Sequence, residues 1–166
     1  FDCSVFWAAD RSKLTDALSI QPAYLKNEAS GNPAAIDYRD WHVPLGRRFR
    51  ALKLWFVLRS YGAEKLREFV RSHVVWAEDL EKRLVDDERF EIIAPRPLAL
   101  VCFRHVGGND VTKSLAEKIN ASGTAYVTPS LIDETQFIRV SIGSTWTEQR
   151  HVDALWELID LNGVPS

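Results

Sequence analysis

Tyr24 is the side chain best suited to do chemistry. It sits in the stretch SIQPAYLKNEASGNPAAIDYRDW, Ser19 to Trp41, which has no apolar period and is punctuated by Pro22, Gly31 and Pro33. A phenol ionises near ~10, so at neutral pH it is protonated and can donate to any acceptor brought within reach. A long segment punctuated by Gly and Pro can open for a ligand and close for chemistry. The plainer alternative is that Tyr24, with Tyr38 and Trp41, anchors a surface loop. The residues alone leave both readings open.

Other reactive types are less promising. His42, His73, His105 and His151 are scattered, and neither Cys3 nor Cys102 has a partner at ligand spacing, so no metal is expected. His73 lies beside an apolar helical stripe and reads as a surface or interface histidine. The string VGGND, Val106 to Asp110, is a glycine turn before a helix without a dinucleotide fingerprint. No serine stands in a Gly-x-Ser-x-Gly elbow, and Cys102 lies in an apolar strand-like run that disfavours a thiolate. Generic motifs alone stop at a soluble α+β domain.

The elements that must position these residues follow from periodicity. Phe1 to Ala9 reads as a strand buried on both faces, and Ser12 to Ala17 as a short helical turn. Phe49, Leu52, Trp55 and Phe56 recur at helical spacing, with Arg47, Arg48, Arg50 and Lys53 between them on a solvated face and Gly62 as the stop. Leu66, Phe69, Val70, Val74, Ala77, Leu80 and Leu84 form the apolar stripe of a second helix. From Arg89 onward the order is strand, strand, helix, strand, strand, helix. The strands are RFEIIA, LALVCFRHV, AYVTPSL and TQFIRVSI, and the first of these helices carries Val111, Leu115 and Ile119. Thr145 and Glu148 are spaced as a capping box for the last helix, whose inner face is Val152, Leu155, Trp156 and Ile159. Short connections predict an antiparallel sheet with helices on one face, an α+β layer. The stretch before about Lys53 does not share this pattern and contributes one strand and a long excursion.

A chain of 166 residues can form one good core, or one domain plus part of another. With 46% hydrophobic and 27% charged residues it has the composition of a soluble globular protein. A formal net charge of -2 gives no general electrostatic reason to bind nucleic acid or an anionic membrane. No apolar run is long enough to span a bilayer, and no signal pattern opens the chain. Two thiols far apart in apolar runs suit a reducing, cytoplasmic setting better than a disulfide. The chain has no methionine and opens directly on strand-like residues, so it is expected to be the C-terminal piece of a longer polypeptide.

Specific strings carry the reading further. FDCSVFW, YLKN, DYRDWHVPLGRRFRALKLWFVLRSYG and LALVCFR resemble, in order, the C-terminal part of the aromatic L-amino-acid decarboxylases. These are group II, pyridoxal-phosphate-dependent enzymes of fold type I. The resemblance implies a homodimer with pyridoxal 5'-phosphate as cofactor. It places the cofactor lysine in an Asn-Pro-His-Lys-type sequence upstream of Phe1. None of the lysines from Lys13 to Lys118 stands in such a context, so the N-terminal portion of the polypeptide is an implied partner. Residues 1–52 would then end the cofactor-binding large domain with the catalytic loop. Residues 53–166 would be a connecting helix and a small C-terminal domain with an antiparallel sheet covered by helices.

The same resemblance assigns roles. Tyr24 matches a tyrosine on a catalytic loop that closes over the partner subunit's active site and returns a proton to Cα after carbon dioxide leaves. Relatives with phenylalanine there form aldehydes by oxidative deamination, so Tyr24 implies simple decarboxylation of an aromatic L-amino acid to its amine. The string PLGRR matches a turn bordering the substrate pocket and the cofactor phosphate. Leu45 is its apolar wall, and Gly46 matches a position held by glycine or serine in relatives. Glycine leaves room for a bulky indole or catechol ring; a flexible turn before the helix is the plainer reason for it. Arg47, Arg48, Arg50 and Arg139 read as structural. An aldehyde-forming relative and a non-catalytic interaction module are the alternative functions.

Overall fold

Helix period decides where the core lies. The computed structural model describes residues 3–19, 37–44 and 46–164, so Tyr24 and Leu45 fall outside the described residues. The chain divides into two units, Phe1–Gly62 and Ala63–Ser166. Helix α1 (Arg11–Leu18), a short 3-10 helix (Tyr38–Trp41) and α2 (Arg50–Tyr61) belong to the first. The second contains α3 (Ala63–Val85), β1 (Phe90–Ile92), β2 (Leu100–His105), α4 (Asn109–Ala121), β3 (Thr128–Ile132), β4 (Thr135–Ser141) and α5 (Gln149–Asn162).

The second unit is the predicted α+β layer. Its sheet runs in the order β1-β2-β4-β3, and every neighbouring pair is antiparallel. Alternation along β2 and β4 sends Val101, Phe103, Ile138 and Val140 into one core with Leu80 and Leu84 of α3, Leu115 and Ile119 of α4, and Leu155 and Ile159 of α5. Each such side chain contributes about 1.5–3 kcal/mol on full burial. Phe90 meets Phe103 edge-on at 5.7 Å between ring centroids. The stripe on α3 is shifted from its predicted line, for Val70 is exposed and His73 is buried at 8% accessibility. Counting back from Leu84 through Leu80 and Ala77 at 3.6 residues per turn puts position 73 on the core line, and the imidazole stacks on Phe69 and meets Trp76 at a tilt.

Three local details carry their own physics. Ile132 pairs with Thr135 around a two-residue turn, and both turn residues, Asp133 (φ 46°) and Glu134 (φ 65°), lie in the left-handed region. That turn matches the twist of a hairpin but favours Asn-Gly over Asp-Glu. The Asn109 side chain secures it, donating to the Glu134 carbonyl at 2.8 Å and accepting the Gln136 N–H at 2.9 Å. Strand β3 starts at Thr128 instead of Ala125, because the Val127 N–H and C=O are both taken by the Asn120 carboxamide, at 2.7 and 3.0 Å. The start of α5 also differs from expectation. Glu148 is itself the N-cap, and its N–H donates to Nδ1 of His151 at 3.0 Å. The Thr145–Glu148 spacing is therefore not the box.

The first unit departs most from the sequence reading. Residues 3–8, expected as a buried strand, pair with no ladder, and Val5, Phe6 and Trp7 are 61–87% exposed. A strand exists through its neighbours, and none is present among the described residues of this unit. Helix α2 forms as predicted and ends at Gly62, whose φ of 78° is the left-handed stop. It buries no residue, so Phe49 beside its start and Trp55 and Phe56 on it stay exposed. No helix among the described residues is long and apolar enough to cross a membrane.

Candidate functional site

The residues before α1 and those from the 3-10 helix to the start of α2 enclose a depression of about 990 Å³ in the first unit. Asp10 caps α1, accepting the Ser12 N–H at 3.0 Å and its hydroxyl at 2.7 Å. Those bonds, the hydroxyl's first, hold the Asp10 carboxyl below the usual carboxylate range. The cap fixes the turn of α1 that carries Arg11 to the rim. Asp37 caps the 3-10 helix through the Arg39 N–H at 3.3 Å, and the Arg39 guanidinium lies 2.9 Å from Asp37 and 3.6 Å from Asp40. Tyr38 and Trp41 pack ring against ring at 6.0 Å. His42 then extends the chain toward Gly46.

The lining is basic and aromatic. Arg11, Arg47 and Arg48 border it, and among the described residues no Asp, Glu or Lys does. Trp7, Trp41 and Phe49 supply flat apolar surface. None of these three guanidiniums has a carboxylate partner among the described residues. Gly46 lies on the same wall. A Cβ built there meets nothing within 4 Å, and its φ is outside the left-handed region. Backbone freedom thus does not explain this glycine, and the space beside it is open. Of the three residues expected to form the site, Gly46 alone is among those described.

The remaining reactive groups resolve into structure, with one exception. His105 is buried; its Nδ1 accepts the Gly107 N–H at 2.9 Å, so its Nε2–H donates to the Gly163 carbonyl at 2.9 Å. His151 caps α5 and His73 packs between rings. Burial pushes the Cys102 thiol up, opposed by the nearby Arg139 charge, which leaves it poorly nucleophilic. His42 is the exception. Its Nδ1 is buried with no hydrogen-bond partner among the described residues. Sequence reasoning passed over His42 as one of four scattered histidines. Its place three residues before Leu45, inside the longest resembling string, was the available signal.

A basic, ring-lined cavity suits a planar anion, because guanidinium groups pair with carboxylate or phosphate oxygens and indole faces stack on flat rings. The lining fits the ring and phosphate of pyridoxal 5'-phosphate and, among the described residues, offers no lysine for its carbonyl.

Comparison with known proteins agrees. Residues 1–106 match the pyridoxal-dependent decarboxylase conserved domain. The chain belongs to that family. It is 42% identical to tryptophan decarboxylase 2 of Oryza sativa subsp. japonica over 166 residues, covering 96% of this chain and 33% of the relative. It is 43% identical to the phenylacetaldehyde synthase of Arabidopsis thaliana, covering 96% of this chain and 34% of that one. The crystal structure of Oryza sativa TDC with PLP and tryptamine superposes with a TM-score of 0.80 at 39% identity, over 93% of this chain and 34% of that structure. The chain thus spans about a third of the length of the relatives it matches.

Proposed function

We propose that this chain is the C-terminal part of a cytoplasmic, homodimeric decarboxylase that uses pyridoxal 5'-phosphate to convert an aromatic L-amino acid to its amine and carbon dioxide. The observation that carries the reading is the match along almost the whole chain to a relative named as a tryptophan decarboxylase. Residues 1–52 would complete the cofactor-binding domain, and residues 53–166 would form the connecting helix and small domain. The N-terminal portion of the same polypeptide would supply the cofactor lysine. Two free cysteines, one of them buried, suit a reducing compartment.

The bound cofactor supplies an electron sink for the bond to the departing carboxylate. This chain's residues would do the rest. Tyr24, protonated at neutral pH, delivers the proton that Cα needs once carbon dioxide has left. Leu45 and Gly46 form the wall beside the substrate ring, with the open space at Gly46 admitting a large one.

A second reading is favoured by the phenylacetaldehyde synthase among the relatives. That outcome consumes dioxygen and water and releases aldehyde, carbon dioxide, ammonia and hydrogen peroxide. The full-length, cofactor-loaded polypeptide is expected to yield amine from tryptophan, tyrosine or 3,4-dihydroxyphenylalanine, with neither aldehyde nor peroxide. Tyr24→Phe is expected to move most of the product to aldehyde with equimolar peroxide. A Tyr24→Phe enzyme that forms amine at the unaltered rate removes Tyr24 from the proton transfer.

A further inference from the structure

One wall of the cavity is a turn too short to hold itself. The 3-10 helix Tyr38–Trp41 has four residues, and helices of this kind have poorer hydrogen-bond geometry than α-helices. The Asp40 N–H reaches the Asp37 carbonyl at a long 3.3 Å. Charge supplies the rest. Nε of Arg39 lies 2.9 Å from Asp37 and 3.6 Å from Asp40, and the Arg39 and Asp40 side chains are only 14% and 16% exposed. Water and salt weaken an open ion pair far more than one this sheltered. Side chains three apart eclipse on a 3-10 helix, so Tyr38 and Trp41 stand together, and both line the cavity. His42 leaves the turn in an extended conformation, the ring of Pro44 fixes its own φ, and Gly46 is again part of the wall. The link from turn to wall therefore has little slack.

We propose that Arg39 is a positioning residue for the decarboxylation: by clasping Asp37 and Asp40 it holds the turn that presents Tyr38 and Trp41 to the cavity, and so sets where the wall at Gly46 stands against the substrate ring. The inference rests on the decarboxylase reading and deepens it by naming what orients the substrate wall. Arg39 also lines the cavity, so direct contact with a ligand is the rival account. The two differ in what they ask of Asp37, which a contact residue does not need.

Steady-state kinetics of the full-length, cofactor-loaded protein with tryptophan and with tyrosine test this, active sites being counted by cofactor absorbance. Arg39→Gln is expected to lower kcat/KM for tryptophan about 10- to 100-fold, the scale of a small misplacement beside the reacting group. Tyrosine is expected to lose less, because a displaced wall crowds the larger indole first. Arg39→Lys keeps the charge without the planar fork and is expected to recover part of the loss. Asp37→Asn keeps an acceptor for the cap but removes the charge, and is expected to shift the tryptophan-to-tyrosine ratio in the same direction. The double variant Asp37→Asn/Arg39→Gln is then no worse than Arg39→Gln alone, since residues that act through each other are not additive. Should Arg39→Gln fail to fold, Arg39→Lys and Asp37→Asn carry the same comparison. A residue that only stabilises the fold lowers the count of active sites and leaves KM and the substrate ratio as they were; that result overturns the inference. So does an Asp37→Asn enzyme with unaltered kinetics beside an impaired Arg39 variant, or losses that simply multiply in the double variant. If the unaltered enzyme still decarboxylates aromatic amino acids, the function proposed above survives those results; no decarboxylation by the unaltered enzyme overturns that function instead.

Discussion

Asp133 and Glu134 show what a single position can cost. Both hold positive φ without being glycine, and a side chain there is worth about 1–2 kcal/mol of strain in the general case. The Asn109 carboxamide offsets this by bonding the backbone on both sides of the turn. Glu134→Gly removes the strain but frees the unfolded chain, so a net gain of about 0.5–1 kcal/mol is expected. Asn109→Ala forfeits two hydrogen bonds and is expected to lose about 1–2 kcal/mol. Urea denaturation of the two variants measures both, and a Glu134→Gly protein less stable than its parent contradicts the account. At the same scale, Gly107 is required for space: a Cβ there would come within 2.9 Å of the His105 Nδ1 that accepts its N–H.

Among the elements, α5 is held by charge as well as by its apolar face. Arg89 bridges Asp87 at 2.6 Å and Asp160 at 2.5 Å, and Arg83 reaches Asp153 at 2.7 Å. The Asp87 carboxyl is held below the usual range by its hydrogen bond from Arg89, and Asp153 likewise by Arg83. A carboxyl with a folded pKa below its unfolded value adds stability that is full above the unfolded value, near ~4, and fades as pH falls through the folded one. Stability of the second unit is therefore expected to decline on acidification below about pH 4. Asp87→Asn starts about 1–2 kcal/mol lower at neutral pH and declines less steeply. Equal slopes of urea stability against pH for the two proteins would remove Asp87 from this role.

These elements also show what the sequence could convey. Strands β1, β2 and β4 and helices α4 and α5 were legible because each repeats its own period and stops at a turn. The late start of β3 was hidden because it depends on Asn120 reaching Val127 across a loop. The exchange of Val70 for His73 was hidden because hydrophobicity ranks valine above histidine, whereas His73 packs against two flanking rings. Gly46 could be picked out through resemblance alone. The His42 nitrogen, buried with no partner among the described residues, could not, since burial of one atom is a property of packing rather than of residue order.

At the scale of the molecule, the two units differ in kind. Every buried residue among those described lies in Ala63–Ser166, so that unit has a core of its own while the first leaves Trp7, Phe49, Trp55 and Phe56 exposed among the described residues. Residues 63–166 produced alone are expected to unfold in one cooperative transition that is the same by near- and far-ultraviolet circular dichroism. Residues 1–62 alone are expected to show no such transition. A shorter piece without its own melting step would make the second unit dependent on the first.

The strand order bears on where this polypeptide can be divided. The family match closes at residue 106, one residue past the end of β2, yet β2 takes its inner neighbour from β4, with Leu100 opposite Ser141 and Phe103 opposite Ile138. Scissors applied at that sequence boundary would strip one flank of β2 and leave a two-stranded ribbon with its backbone groups unsatisfied, inviting strand-to-strand clumping between molecules. What sequence comparison marks as a margin is, in three dimensions, the middle of the fabric.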